Sequence, residues 1–151
     1  MKHEQTPRTF SFPVRIYYED TDAGGVVYYA NYLKFLERCR SEWLRALGFE
    51  QADLLRDPGV AFVVRHVGLD YLKPARLDDL LAVSLEIDRL TRSQIFFRQH
   101  VWRDNPLVDG GREELVRGAI QVVCVSIGSD ARPMKVTSIP APLRARLEII
   151  Q

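Results

Sequence analysis

Tyr29–Leu47, YANYLKFLERCRSEWLRAL, decides how the rest of the chain must be arranged. Tyr32, Phe35 or Leu36, Cys39, Trp43 and Leu47 recur every three or four residues, and the charged Lys34, Glu37, Arg38, Arg40 and Glu42 lie mostly between them. That spacing predicts one amphipathic helix of about 18 residues, roughly 27 Å long. Gly48 stands where the C-terminal cap of such a helix belongs.

Outward from this helix the period changes. Before it, FSFPVRIYYE (Phe10–Glu19) alternates across Val14, Ile16 and Tyr18, which predicts a half-buried strand. Beyond Pro58, four further strands are expected over Val60–Leu72, Leu80–Ile87, Ile95–Trp102 and Leu115–Ile127. They are separated by the turn PARLDD (Pro74–Asp79) and by polar or Gly-rich connections such as RDNPLVDGGREE. The tail IPAPLRARLEII suggests a short helix behind Pro140. One strand, one long helix and four more strands make an α+β chain. One helix cannot cover both faces of such a sheet, so an antiparallel five-stranded sheet wrapped around the helix is the economical arrangement. Apolar strand surface left on the other side would call for a second subunit, so an oligomer is expected.

The 151 residues fit a single domain spanning 1–151, with 46% hydrophobic and 27% charged residues. A formal net charge of +1 gives no general attraction to nucleic acid or to an anionic membrane. The N-terminal MKHEQTPRTF has no apolar stretch of signal-peptide kind, and no run approaches the roughly 20 apolar residues of a membrane span. Cys39 and Cys124 read as buried free thiols in a reducing compartment, which makes the cytoplasm the default location. His3, His66 and His100 are scattered without metal-ligand spacing, so no metal is expected, and His66 and His100 read as surface or packing residues within strands. No GxSxG elbow, P-loop or GxGxxG fingerprint occurs, and no cofactor is expected.

What remains is the junction RIYYEDTDAGGVVYYANYLKFLE (Arg15–Glu37), where Glu19, Asp20 and Asp22 crowd ahead of Gly24-Gly25. One reading is an acidic turn with an Asp capping the helix. The other is an acyl-transfer site. Free N–H groups at a helix start hold an oxyanion, glycines admit a ligand close to the backbone, and a carboxylate works on water or on a carbonyl carbon.

The segment YYEDTDAGGVVYYANYLKFLERCRSEWLRALGF (Tyr17–Phe49) resembles the signature of hotdog-fold acyl-CoA thioesterases, the 4-hydroxybenzoyl-CoA thioesterase-like superfamily. It is most similar to the YbgC-type, Tol–Pal-associated group, and VAFVVRHVGLDYLKPARLDDLL (Val60–Leu81) continues the likeness. The resemblance implies a hotdog fold and hydrolysis of acyl-CoA without metal or redox cofactor. Position by position, it makes Asp22 the catalytic carboxylate, as base or nucleophile, and the Tyr29 N–H the group that polarises the thioester carbonyl. Gly25 and Asn31 fall at the substrate end of the helix, with Asn31 and Tyr32 as supports. The Tyr28 and Tyr29 side chains are read as core aromatics. Arg92, Ser93 and Lys135 match the positions that meet the nucleotide phosphates of CoA, while Asp78 and Asp79 read as a turn. The chain departs from the group at Tyr29, where many members carry His; a scheme needing that imidazole has no base here, whereas a backbone donor is indifferent to the side chain. The single helix and long apolar strands point to a homotetramer built from dimers, and acyl carrier protein, lipid-synthesis enzymes or envelope machinery are the further partners considered. The rivals are an aromatic, 4-hydroxybenzoyl-type thioesterase and a mainly binding hotdog module.

Overall fold

The computed structural model describes residues 9–128 and 133–151; His3 and most of the N-terminal stretch lie outside them. Five long elements of strand are present: β1 (Phe10–Arg15), β2 (Val60–Tyr71), β3 (Leu80–Leu90), β4 (Gln94–Asp104) and β5 (Arg112–Ser126). They form one antiparallel sheet in the order β1-β3-β4-β5-β2, and a two-residue β6 (Lys135–Val136) pairs with the end of β5. Helix α1 (Asn31–Ala46) lies against the inner face, α2 (Gln51–Arg56) packs on β2, and α3 (Ala141–Ile150) adds Leu143, Leu147 and Ile150 to the core.

The helical stripe read from the sequence is the one that is buried: Tyr32, Phe35, Leu36, Cys39, Trp43 and Leu44 face the sheet. They meet Leu81, Val83 and Leu85 of β3, Ile95, Phe97 and Val101 of β4, and Ile120 and Val122 of β5 in one core cluster. Helix α1 stops at Gly48, which takes φ 93°. There the Gly48 N–H reaches Arg45 O at 2.9 Å and the Phe49 N–H reaches Leu44 O at 3.1 Å, the paired bonds of a glycine C-cap. Both cysteines are free and buried, and burial pushes the Cys39 thiol up to about 12 and that of Cys124 to about 11.

Several boundaries differ from the sequence reading. The first strand ends at Arg15, because beyond Ile16 the chain turns through a single 3-10 turn at Tyr18–Asp20. Helix α1 begins at Asn31, two residues later than expected. The short α2 escaped notice because only Leu54 of its six residues is buried, so no period shows. The outer face of the sheet is not the apolar surface foreseen. It carries Glu86, Arg98, His100, Glu114 and Arg117, with His100 Nδ1 2.7 Å from Glu114 Oε1 and the His100 ring stacked on Trp102. A case for a second subunit therefore has to rest on the sheet edges, not on this face. Among the described residues, no helix is long and apolar enough to cross a membrane.

Candidate active site

Between Ile16 and α1 the chain folds back on itself. Asp22 N donates to Val26 O (2.9 Å), Tyr28 N donates to Asp20 O (2.9 Å), and Thr21 and Val27 form a β-bridge. The reversal is made by Ala23-Gly24-Gly25, closed by Gly25 N on Asp22 O at 3.0 Å. Gly25 sits at φ 76°, a left-handed conformation that side-chain-bearing residues resist. The hairpin is anchored below by Val27 N on Ala75 O (2.9 Å) and by a bridge from Val26 to Arg76. Its floor, the 74–79 turn, is fixed by Arg103, which donates to Asp79 Oδ2 at 2.7 Å and to Pro74 O at 3.1 Å and also pairs with Glu113. Asp78 and Asp79 thus belong to a structural turn, as read.

Asp22 lies at the exposed tip of this hairpin, nine positions before the start of α1, so it does not cap the helix. Its Oδ1 accepts the Gly24 N–H at 2.8 Å, which fixes the side chain, and Oδ2 has no partner among the described residues. A Cβ added to Gly24 would come within 3.1 Å of Oδ1, so glycine there leaves the carboxylate uncrowded. Asp20 is spent differently: its Oδ2 accepts the Tyr17 N–H at 2.8 Å, and its carbonyl takes both Tyr28 N and Asn31 Nδ2 (3.0 Å). Asn31 therefore ties the helix start to the acidic arm.

The start of α1 has no side-chain cap: Ala30 holds the N-cap position without a side-chain hydrogen bond. Among the described residues, the Tyr29 and Ala30 N–H groups have no acceptor. These are the unspent donors of a helix start, where the positive end of the helix dipole also lies. The Tyr29 carbonyl is held by the Tyr71 hydroxyl at 3.0 Å, and the buried Tyr32 hydroxyl accepts the Ala75 N–H at 3.2 Å. Burial raises the Tyr32 pKa and, to a lesser degree of enclosure, that of Tyr71, so both phenols stay protonated and available for these bonds. The Tyr28 and Tyr29 rings are not core aromatics: they are 44% and 61% exposed, Tyr28 lies against Tyr29, and the Tyr29 and Tyr71 centroids are 6.3 Å apart. A cleft lined by Val27, Tyr29, Tyr32, Tyr71 and Pro74 opens here. Tyr71 was missed because it reads simply as one of the alternating residues of a strand, after Val67 and Leu69.

The arrangement suits acyl transfer. A fixed carboxylate with a free oxygen, donors without acceptors, and an aromatic wall are the parts that such chemistry needs.

The expected phosphate-binding residues lie elsewhere. Arg92 and Ser93 occupy the turn between β3 and β4, next to β6 with Lys135. The registers Arg15–Leu80 at one end and Leu90–Ile95 at the other put them at the opposite end of the sheet from Asp22. Eleven residues of β3 span roughly 36 Å at about 3.3 Å each. Arg92 is exposed and donates to Ser138 Oγ at 2.6 Å, and Lys135 is exposed, but Ser93 is only 9% exposed and gives its carbonyl to Cys124 N at 2.7 Å. One subunit does not bring the two groups together.

Comparison with known proteins agrees with this fold. The Thioesterase superfamily profile matches residues 24–109. The chain is 44% identical to "Acyl-CoA thioesterase YbgC" of Haemophilus influenzae, over 90% of this chain and 92% of that protein. It is 41% identical to "Acyl-CoA thioester hydrolase YbgC" of Escherichia coli O6:H1, over 92% and 96% respectively. The crystal structure of 4-hydroxybenzoyl CoA thioesterase from Pseudomonas sp. strain CBS-3 superposes with a TM-score of 0.80, covering 94% of this chain and 99% of that one at 21% identity. That likeness is one of fold, and the fold is the hotdog expected from the sequence. The chain belongs to the thioesterase superfamily.

Proposed function

We propose that the chain hydrolyses acyl-CoA thioesters, releasing a carboxylic acid and free CoA, as a single thioesterase domain. The observation that carries this reading is the fixed, half-free carboxylate of Asp22 on the hairpin that leads into the unpaired N–H groups before α1. The relatives named as acyl-CoA thioesterases support the substrate class.

In this reading the thioester carbonyl oxygen takes the Tyr29 N–H as donor, and charge developing on that oxygen is stabilised by a group already in position. Asp22 then removes a proton from water as the water oxygen attacks the carbonyl carbon, or attacks that carbon itself to form a mixed anhydride. In either route the C–S bond breaks, the CoA thiolate leaves and takes up a proton, and one water is consumed. Label found in Asp22 after a single turnover in H₂¹⁸O identifies the anhydride route with water attacking the Asp22 carboxyl carbon, since the general-base route puts the label only in the product acid. Gly25 and Asn31 act as supports, the first by turning the hairpin and the second by locking it to the helix.

A second copy completes the site. β2 is an edge strand, with Val63 38% and Val64 49% exposed, and its unpaired edge is a template for another strand. Antiparallel pairing along β2 carries the Arg92, Ser93 and Lys135 end of one subunit toward the Asp22 end of the other. There Arg92 and Lys135 meet CoA phosphates, while the buried Ser93 contributes through the turn it holds. The assembly is a tetramer built from such dimers, and a stable 17.4 kDa monomer by light scattering at micromolar concentration contradicts it. The protein works in the cytoplasm beside the Tol–Pal system, and a pull-down against acyl carrier protein and envelope extracts tests those partners. Release of CoA across a panel of aliphatic thioesters and 4-hydroxybenzoyl-CoA tests the function itself; no release from any member contradicts it.

A further inference from the structure

A second cavity lies on the inner face of the sheet, between the C-terminal half of α1 and strands β2, β4 and β5. Trp43, Leu44, Phe62, Ile95 and Phe97 make its apolar wall, and Arg40 stands among them. The sequence pattern placed Arg40 with the solvated residues of α1, yet it is partly buried. It is held by Gln99, which is fully buried at an inward position of β4 between Phe97 and Val101. The Gln99 amide is used at both ends: Nε2 donates to Leu36 O at 3.1 Å, and Oε1 accepts Arg40 Nη1 at 2.9 Å. A buried amide costs stability unless both ends are satisfied, so this one has a single orientation, and that orientation aims the guanidinium.

The other donors of the Arg40 guanidinium have no described partner, and no carboxylate stands within ion-pair distance among the described residues. Glu37 bounds the same cavity, but its Oε1 is engaged by the Ser41 hydroxyl at 2.7 Å. Burial lowers the Arg40 pKa, and the Glu37 carboxylate on the same cavity opposes that shift without forming an ion pair. An apolar chain alone leaves such donors unused. A carboxylate satisfies two at once, in the forked geometry that guanidinium favours.

We propose that Arg40, aimed by Gln99, reads the far end of the acyl group, and that the preferred substrates are CoA thioesters of short dicarboxylic acids. This rests on the thioesterase reading above. Arg40 lies ten residues along α1 from Ala30, roughly 15 Å at about 1.5 Å each, too far for a short acyl group on its own subunit's site. The cavity opens beside Phe62 and Val64 of β2, however, on the edge that a second copy covers. Antiparallel pairing turns it toward the partner's Asp22. Arg40 is then a specificity residue, and Gln99 the residue that positions it.

The test is kcat/KM for three chain-matched pairs, succinyl- and butyryl-CoA, glutaryl- and pentanoyl-CoA, and adipoyl- and hexanoyl-CoA, with the uncatalysed rate subtracted. In the wild type, at least one pair should favour the dicarboxylic member by about 10-fold or more. Arg40→Met should lower that ratio by about 10- to 100-fold, as loss of a hydrogen-bonded charge pair does, and Arg40→Lys should restore part of it. A wild-type preference for the neutral member of every pair overturns the proposal, even if Arg40→Met does not fold, and so does a ratio unchanged in Arg40→Met. An Arg40→Met chain that no longer assembles by light scattering assigns Arg40 to the contact between copies and also overturns it. Hydrolysis of the neutral thioesters without acid preference leaves the thioesterase reading standing, whereas no hydrolysis of any of the six removes both.

Discussion

The two ends of the sheet use their polar groups in opposite ways. At the β3–β4 turn the backbone is spent on itself: Cys124 N meets Ser93 O, Ile139 N meets Arg92 O, Thr137 N meets Cys124 O, and Arg144 Nη1 reaches Thr91 O at 2.7 Å. At the other end, the hairpin before α1 leaves one oxygen of Asp22 and the Tyr29 and Ala30 N–H groups without partners, among tyrosines that face out. Unpaired donors and acceptors are a cost to folding, tolerated where water or a ligand supplies the missing bond. The first end is built to hold shape, and its cations act only by reaching outward. The second leaves groups open to a ligand, as the proposed chemistry requires.

That division of labour can be broken by substitution, and its parts differ in size. Asp22→Asn should have the largest effect, a fall in kcat of at least ~100-fold, because it removes a positioned base or nucleophile. Gly24→Ala should cost about 10-fold in kcat with little change in KM, since the new Cβ presses on Asp22 Oδ1 from 3.1 Å and misplaces the carboxylate. Steady-state kinetics on saturating acyl-CoA check both. At the far end, Arg92→Ala should raise KM by several-fold, about 3 to 10, and leave kcat nearly intact, as a remote phosphate contact contributes mainly uniform binding. Equal KM values at low salt take Arg92 out of the site.

The smallest effect is on stability alone. Arg117, with His100, holds the Glu114 carboxyl at about 2 in the folded chain. Its ordinary value is about 4.3, so the ion pair stabilises fully above that pH and its contribution is lost as pH falls toward 2. Glu114→Gln should therefore melt lower than wild type at pH 7, with the gap closing through that acid window. A gap that stays constant from pH 7 to pH 3 contradicts the sign of this linkage.

Much of the fold was legible because buried faces repeat. The α1 stripe, the inward Leu81-Val83-Leu85 of β3 and the Gly48 cap are local patterns, and each element follows from its own residues. The resemblance of DTDAGGVVYYANY drew attention to this hairpin, but not to its geometry. The hairpin that sets Asp22 apart from the helix start rests on backbone bonds that no residue pattern announces, and the bond from Tyr71 to Tyr29 O joins residues 42 positions apart. Arg40 was hidden because an arginine beside a helical stripe reads as solvated. The polar Gln99 at an inward strand position was the available signal, and it acquires meaning only once α1 is laid across β4. The separation of Asp22 from Arg92 was illegible for a different reason: motif positions say nothing of which end of a sheet they reach until the register is known.

The central claim, that Asp22 does the chemistry at the open end, is tested most directly by comparing Asp22→Asn with Asp20→Asn. Each removes one charge from the same hairpin and the same helix-dipole field, and each carboxylate accepts one backbone N–H, but Asp20 is half-buried with its carbonyl anchoring the helix start while Asp22 stands exposed at the hairpin tip. CoA release and melting temperature are measured on both. The account predicts a folded Asp22→Asn chain with turnover down at least ~100-fold, and an Asp20→Asn chain that keeps most of its turnover with a lowered melting temperature. Near-normal hydrolysis by a folded Asp22→Asn chain contradicts it.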